Sequence, residues 1–209
     1  MAERLNVNPN RMELLKLRRR MTIARRGHKL LKDKFDELMK RFMTLVKETR
    51  DLRREVEGDL GEAHKLFALA RSQTATLQLE EALSFPSGTV DVSVKEVNLM
   101  SVIVQEFELV TEGGYDCYGL GLTPSLYDDS LRKFRDLLPP LVELAEKEKA
   151  VRKLAIEIEK TRRRVNALEY VLIPQMQETI RYITMKLDEI ERSNLTQLMK
   201  VKEMVAETT

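Results

Sequence analysis

Tryptophan is absent, and only 5% of the 209 residues are aromatic, which leaves poor material for a thick globular core although 43% of the chain is apolar. A thin, elongated object fits that composition better. One cysteine, Cys117, excludes an internal disulfide framework and a cysteine-built zinc site, and it suits a reducing, intracellular compartment. No stretch approaches the ~18 consecutive apolar residues needed to span a bilayer, and Met-Ala-Glu-Arg-Leu-Asn at the start lacks a signal-peptide core, so a soluble chain without membrane insertion is expected. A charged content of 33% nearly cancels to +2, so net charge alone selects neither nucleic acid nor membrane as partner. Proline is missing between Pro9 and Pro86, so one helix can run through that whole interval.

What fills the interval is a seven-residue repeat. One heptad position carries Leu14, Met21, His28, Phe35, Phe42, Thr49, Val56, Ala63, Ala70 and Leu77; its companion carries Leu17, Ala24, Leu31, Leu38, Leu45, Leu52, Asp59, Leu66 and Gln73. Lys, Arg, Glu and Asp crowd the positions between them, which is the narrow seam of a coiled coil and requires a partner helix. Asn8-Pro9-Asn10 supplies a helix-start signal, and Gly27, Gly58 and Gly61 weaken the helix by about 1 kcal/mol each without breaking it. The first long helix is therefore expected over residues 10–83.

Ser84-Phe85-Pro86-Ser87-Gly88 ends that pattern and opens an insert over residues 84–127. Thr89-Val90-Asp91-Val92-Ser93-Val94-Lys95 alternates apolar and polar residues, and Ser101-Val102-Ile103-Val104 follows, so a short β-hairpin turning near Asn98 is predicted. Two strands alone are marginal in water, so the hairpin must lean on the helices or on another subunit. The glycines at 113, 114, 119 and 121 mark a return loop; they lack both the Gly-Lys-Ser/Thr ending and the full Gly-x-Gly-x-x-Gly pattern of phosphate-binding loops.

A second long helix is expected over residues 128–205. Leu137, Leu144, Val151, Ile158, Val165 and Leu172 form one row, and Phe134, Leu141, Ala155, Met176, Ile183 and Ile190 the other, with a four-residue step beyond Pro174. Pro139, Pro140 and Pro174 are expected to bend it. Two seams in one chain fold back most simply as a long antiparallel two-helix coiled coil, an all-α-dominated class with a small β-hairpin insert in the middle. Asp59, Glu148, Arg162 and Glu169 interrupt the seams, either to fix register or to open toward solvent or another subunit. His28 and His64 have no carboxylate companions at ligand spacing, and no nucleophile, acid–base pair or cofactor loop is legible, so neither metal, cofactor nor catalysis is expected.

Residues 11–34 carry Arg11, Lys16, Arg18, Arg19, Arg20, Arg25, Arg26, Lys29, Lys32 and Lys34 against Glu13 and Asp33. Three consecutive arginines stand about 100° apart and spread over about 200° of a helix, so Arg18, Arg19 and Arg20 form a collar, suited to a surrounding ring of acidic subunits, rather than a stripe suited to one nucleic-acid face. Arg162, Arg163 and Arg164 form a second cluster on the other helix. A basic coiled-coil arm that binds RNA is the competing reading of the same charges.

Three motifs carry a resemblance: Asn8-Pro9-Asn10-Arg11-Met12-Glu13-Leu14-Leu15-Lys16-Leu17, Ala24-Arg25-Arg26-Gly27-His28-Lys29-Leu30-Leu31-Lys32-Asp33-Lys34, and Glu159-Lys160-Thr161-Arg162-Arg163-Arg164-Val165-Asn166-Ala167-Leu168-Glu169-Tyr170-Val171-Leu172-Ile173-Pro174. They closely resemble the D subunit of V-type and A-type ATPases over nearly the whole chain, the insert excepted. The resemblance implies a non-catalytic central rotor shaft inside a hexamer of catalytic and regulatory subunits. It would bind the small F subunit and stand on the socket subunit above the membrane rotor ring, in a cytoplasmic complex peripheral to the membrane. It also implies that Arg18, Arg19, Arg20, Arg25, Arg26, Lys29, Arg162, Arg163 and Arg164 ride against the hexamer. The hairpin, through Val90, Val92, Val94, Val102 and Val104, is the regulatory candidate.

Overall fold

The computed structural model describes residues 5–73, 75–84, 88–114, 118 and 124–207. The turn formers at 85–87, Cys117 and the glycines at 119 and 121 lie outside them. In chain order come α1 (Arg11–Gln73), α2 (Thr76–Leu83), β1 (Thr89–Leu99), β2 (Val102–Glu112), α3 (Ser125–Asn166), a π-helical segment (Ala167–Leu172) and α4 (Ile173–Glu207). The all-α-dominated class holds, with two long helical stretches and a hairpin between them. Two compact units divide the chain, one formed by residues 1–37 and 158–209, the other by residues 38–157.

In the first unit the start of α1 is set as its sequence dictates. Asn10 caps the helix, its Oδ1 accepting the Glu13 backbone N–H at 2.7 Å. Leu17, Met176 and Ile183 form the buried center, flanked by Leu14, Met21, Ala24, Ile180 and Leu187, so the α1 seam meets the α4 seam. Arg11 pairs with Glu191 and His28 lies against Glu169, an order that makes the helices antiparallel. Thr179 is buried in this seam because its hydroxyl is fully used, donating to the Gln175 carbonyl at 2.7 Å and accepting the Leu5 N–H at 3.1 Å.

The helix responds to Pro174 with a π turn. Pro174 has no N–H to offer and its ring crowds the preceding turn; the Ile173 N–H bonds the Leu168 carbonyl, five residues back. That wider turn takes roughly one extra residue, so the heptad step from Val165 falls out of phase. Leu172, expected in the seam, is exposed for that reason, as are Tyr170 and Val171.

In the second unit Leu38, Val56, Ala63 and Ala70 of α1 and Leu137, Ala150 and Leu154 of α3 are buried. Glu62 meets Lys133 and Ala70 meets Tyr127, again antiparallel. Helix α3 continues through Pro139 and Pro140. The expectation of one helix through residue 83 needs correction: α1 stops at Gln73, Ala75 is extended (φ −65°, ψ 136°), and α2 restarts at Thr76. The partner helix explains the break, because α3 begins only at Ser125 and Ala70 already packs on Tyr127. Beyond that point Gln73 is exposed and Leu77 is 77% exposed, so no burial holds α1 and α2 in one continuous helix.

The hairpin belongs to this second unit. Its strands pair antiparallel in a single register from Thr89↔Glu112 to Leu99↔Val102, longer than the alternation alone suggested. The turn falls on Met100 (φ 53°) and Ser101 (φ 70°), two residues past Asn98, and both hold the left-handed conformation that a tight hairpin demands. Asn98 Oδ1 accepts the Ser101 N–H at 2.8 Å and steadies that turn.

Candidate functional site

Arg18, Arg19, Arg20, Arg25, Arg26 and Lys29 are all exposed, and among the described residues none of them makes an ion pair. Their placement follows from the heptads: Leu17, Met21, Ala24 and His28 turn inward, so the intervening cations face out. Arg162, Arg163 and Arg164 are exposed in the same unit, between buried Thr161 and Val165, and among the described residues Arg163 alone of them bonds a carboxylate, that of Glu159. The opposing-helix position of His28 is Glu169, which puts the arginine triplet about one to two turns from it on the second helix. The unit therefore carries its two basic groups around one stretch of helix pair, with most of their charge left uncompensated.

Polar residues at and beside the seams pair across the two helices. His28 Nε2 lies 3.4 Å from Glu169 Oε2, an ion-pair distance without hydrogen-bond alignment. Arg53 reaches Glu148 at 2.5 Å, and Lys133 reaches Glu62 at 2.7 Å, where the hydrogen bond and charge of Lys133 hold the Glu62 carboxyl below the usual carboxylate range. Asp59 and Arg162 point to solvent instead.

The structure sorts the five hairpin valines into two groups. Val102 and Val104 are buried, at 7% and 8% exposure, while Val90, Val92 and Val94 are 51%, 47% and 53% exposed. Helix α3 contacts the outer edge of β2: Glu146 Oε2 accepts the Phe107 N–H at 2.9 Å, and Lys153 Nζ donates to the Ile103 carbonyl at 2.8 Å. Lys149 Nζ sits 5.2 Å from the center of the Phe107 ring. The hairpin leans on its own unit, as two strands must.

Below the hairpin's open end lies a mainly apolar cavity of about 380 Å³, lined by Leu83, Val90, Gly114, Phe134, Leu138 and Leu141 among others. Beside it Phe67, Tyr118, Tyr127 and Phe134 gather with edge-to-face or tilted ring contacts. The Tyr118 hydroxyl donates to Asp128 Oδ1 at 2.5 Å, whereas the Tyr127 hydroxyl is buried without a partner among the described residues and burial pushes its pKa up. Sequence reasoning missed this cluster, because its members come from α1, the return segment and α3, and the heptads flag only Phe134. Among the described residues no group of three His, Cys, Asp or Glu side chains could hold a metal ion, and no helix is long and apolar enough to cross a membrane.

A family model for the D subunit of ATP synthase matches residues 13–203. The D subunit of the V-type ATP synthase of Thermoanaerobacter sp. (strain X514) is 54% identical over 203 residues, covering 96% of this chain and 97% of that protein. Its counterpart, the V-type ATP synthase D subunit of Clostridium botulinum (strain Langeland / NCTC 10281 / Type F), is 50% identical over 209 residues, covering 98% and 97%. These full-length matches do not favor the RNA-arm alternative, and the chain belongs to the ATP synthase D-subunit family.

Proposed function

We propose that this chain is the central-stalk shaft of a rotary V/A-type ATPase, a non-catalytic subunit that couples ATP turnover in a surrounding hexamer to ion movement through a membrane rotor ring. The supporting observation is the belt of Arg18, Arg19, Arg20, Arg25, Arg26 and Lys29, exposed and, among the described residues, unpaired, on a member of the D-subunit family. Such charges are left free because another molecule supplies the counter-charge. Arg162, Arg163 and Arg164 extend the same surface on the opposing helix.

The mechanism needs no bond-making by this chain. A shaft whose faces differ, basic on some turns and apolar at Tyr170, Val171 and Leu172 on others, presents a different surface to each catalytic interface. Each interface then takes a different nucleotide affinity, and turning the shaft exchanges those affinities in order. The proposed neighbors are the catalytic and regulatory subunits of the hexamer, the small F subunit and the socket subunit above the ring, in a complex peripheral to the membrane. The hairpin is the proposed regulatory element.

Replacing Arg18, Arg19 and Arg20 by Gln tests the reading in the reassembled complex. Assembly with lowered ion transport per ATP hydrolyzed is expected; normal assembly with unchanged coupling sinks the assignment.

A further inference from the structure

The two edges of the hairpin are treated differently. In an antiparallel ladder the residues of one strand alternate between bonding the partner strand and facing away from it. The Phe107 N–H and the Ile103 carbonyl bond side chains of α3, so these residues face away from β1. Their register partners, Val94 and Asn98, therefore face away from β2, and by alternation so do Val92 and Glu96. On β2 this outer row is occupied by Glu146 and Lys153. On β1 nothing among the described residues occupies it, and every residue of the strand from Thr89 to Asn98 is exposed. The backbone groups of Val92, Val94 and Glu96 form an open strand edge beside the half-exposed side chains of Val90, Val92 and Val94.

Unprotected edges of this length invite pairing with another chain, and charge selects the kind. The hairpin carries Asp91, Glu96, Glu106, Glu108 and Glu112, all exposed, against Lys95 alone. Lys95 is already taken by Glu108 at 2.6 Å. Two copies of such a hairpin repel, whereas an incoming basic strand neutralizes the excess.

We propose that the free edge of β1 receives an extended, basic segment of a neighboring subunit as a third strand, with backbone hydrogen bonds to Val92, Val94 and Glu96. This rests on the reading of the chain as a subunit of a rotary complex, and it specifies how the hairpin engages its neighbor: by strand addition.

Hydrogen–deuterium exchange at residue resolution, on the isolated full chain and on the assembled complex, tests it. Exchange at Val92, Val94 and Glu96 slows by at least ~10-fold on assembly. Val92→Pro is the diagnostic variant: the amide it removes faces outward, so no ladder bond to β2 is lost, yet a third strand can no longer pair there. The added protection at Val94 and Glu96 is lost in this variant, inward amides at Ser93 and Lys95 stay protected, and Val92→Thr behaves as the parent. Asp91→Lys combined with Glu96→Lys also removes the protection. Unchanged exchange in a complex that contains the chain, or protection that survives Val92→Pro or the double lysine variant, overturns the proposal and leaves the shaft reading standing. Protection that already rises with concentration in the isolated chain assigns the edge to a second copy and overturns it too. A parent chain that does not enter the complex overturns the shaft reading and this one together.

Discussion

Glu169 Oε2 stands 3.4 Å from His28 Nε2, so two polar residues that interrupt opposite apolar seams face each other across the helix pair. The pair is only partly open to water: His28 is 19% exposed with its Nε2 shielded, and Glu169 is 42% exposed. A double-mutant cycle through His28→Leu and Glu169→Leu in the full chain should give a coupling of about 0.2–1 kcal/mol, the range of partly exposed pairs. The double variant should melt no lower than the parent, because two leucines at these facing seam positions replace a polar pair by an apolar contact. A coupling of several kcal/mol, or a large loss in the double variant, would mean that the pair carries the fold of this unit.

At the hairpin turn, Met100 and Ser101 hold positive φ values of 53° and 70° without being glycine. Each left-handed side-chain residue costs roughly 1–2 kcal/mol. Met100→Asn with Ser101→Gly supplies the residue pair favored by this turn and should slow amide exchange across β1 and β2 by about tenfold, matching a gain of ~1.4 kcal/mol. Faster exchange would show that the Met100 side chain contributes more than its backbone strain removes.

The Lys95–Glu108 pair gives the hairpin a pH dependence with a defined sign. The Lys95 hydrogen bond and charge hold the Glu108 carboxyl below its ordinary 4.5, and Glu108 raises Lys95 above its ordinary 10.5. The carboxylate's contribution is complete above 4.5 and fades as pH falls through the depressed folded value; the ammonium's is complete below 10.5 and fades as pH rises through the raised one. Both groups are solvent-exposed, so the effect is small. Amide exchange at the inward-facing Ser93 and Lys95, corrected for intrinsic rates, should show a plateau between these limits and a Glu108→Gln variant should lose the acid limb.

Tyr127 separates packing from hydrogen bonding. Its ring is 1% exposed against Ala70, Phe67 and Tyr118, while its hydroxyl has no partner among the described residues. Tyr127→Phe should be neutral or stabilizing, because it removes a buried hydroxyl that has no partner among the described residues. Tyr127→Ala should cost about 3–5 kcal/mol, read as a drop in the denaturation midpoint. A loss on Tyr127→Phe would contradict the orphaned hydroxyl.

These cases mark how far the amino-acid order carries. The seam of α1 was legible because helix periodicity is local: Leu17, Leu38, Val56, Ala63 and Ala70 are buried as their heptad positions demand. The end of α1 was not, because the stop at Gln73 comes from the partner helix beginning at Ser125, a tertiary fact with no mark at residue 73. Leu172 left the seam because the chain meets Pro174 with a π turn, and a fixed seven-residue count cannot follow that change. The basic surface was legible as composition, since exposed cations need no partner in this chain. The difference between Val90, Val92 and Val94 outside and Val102 and Val104 inside was not, because alternation gives two faces without saying which one is buried.

In the proposed shaft, Arg18, Arg19 and Arg20, exposed and without an ion pair among the described residues, work against a surrounding ring of subunits. The most direct measurement is ion transport per ATP hydrolyzed in reconstituted complex carrying Arg18→Gln, Arg19→Gln and Arg20→Gln, with helix content and assembly checked on the same sample. An assembled, helical complex whose transport per ATP falls severalfold is expected. An assembled complex with parental coupling would contradict it.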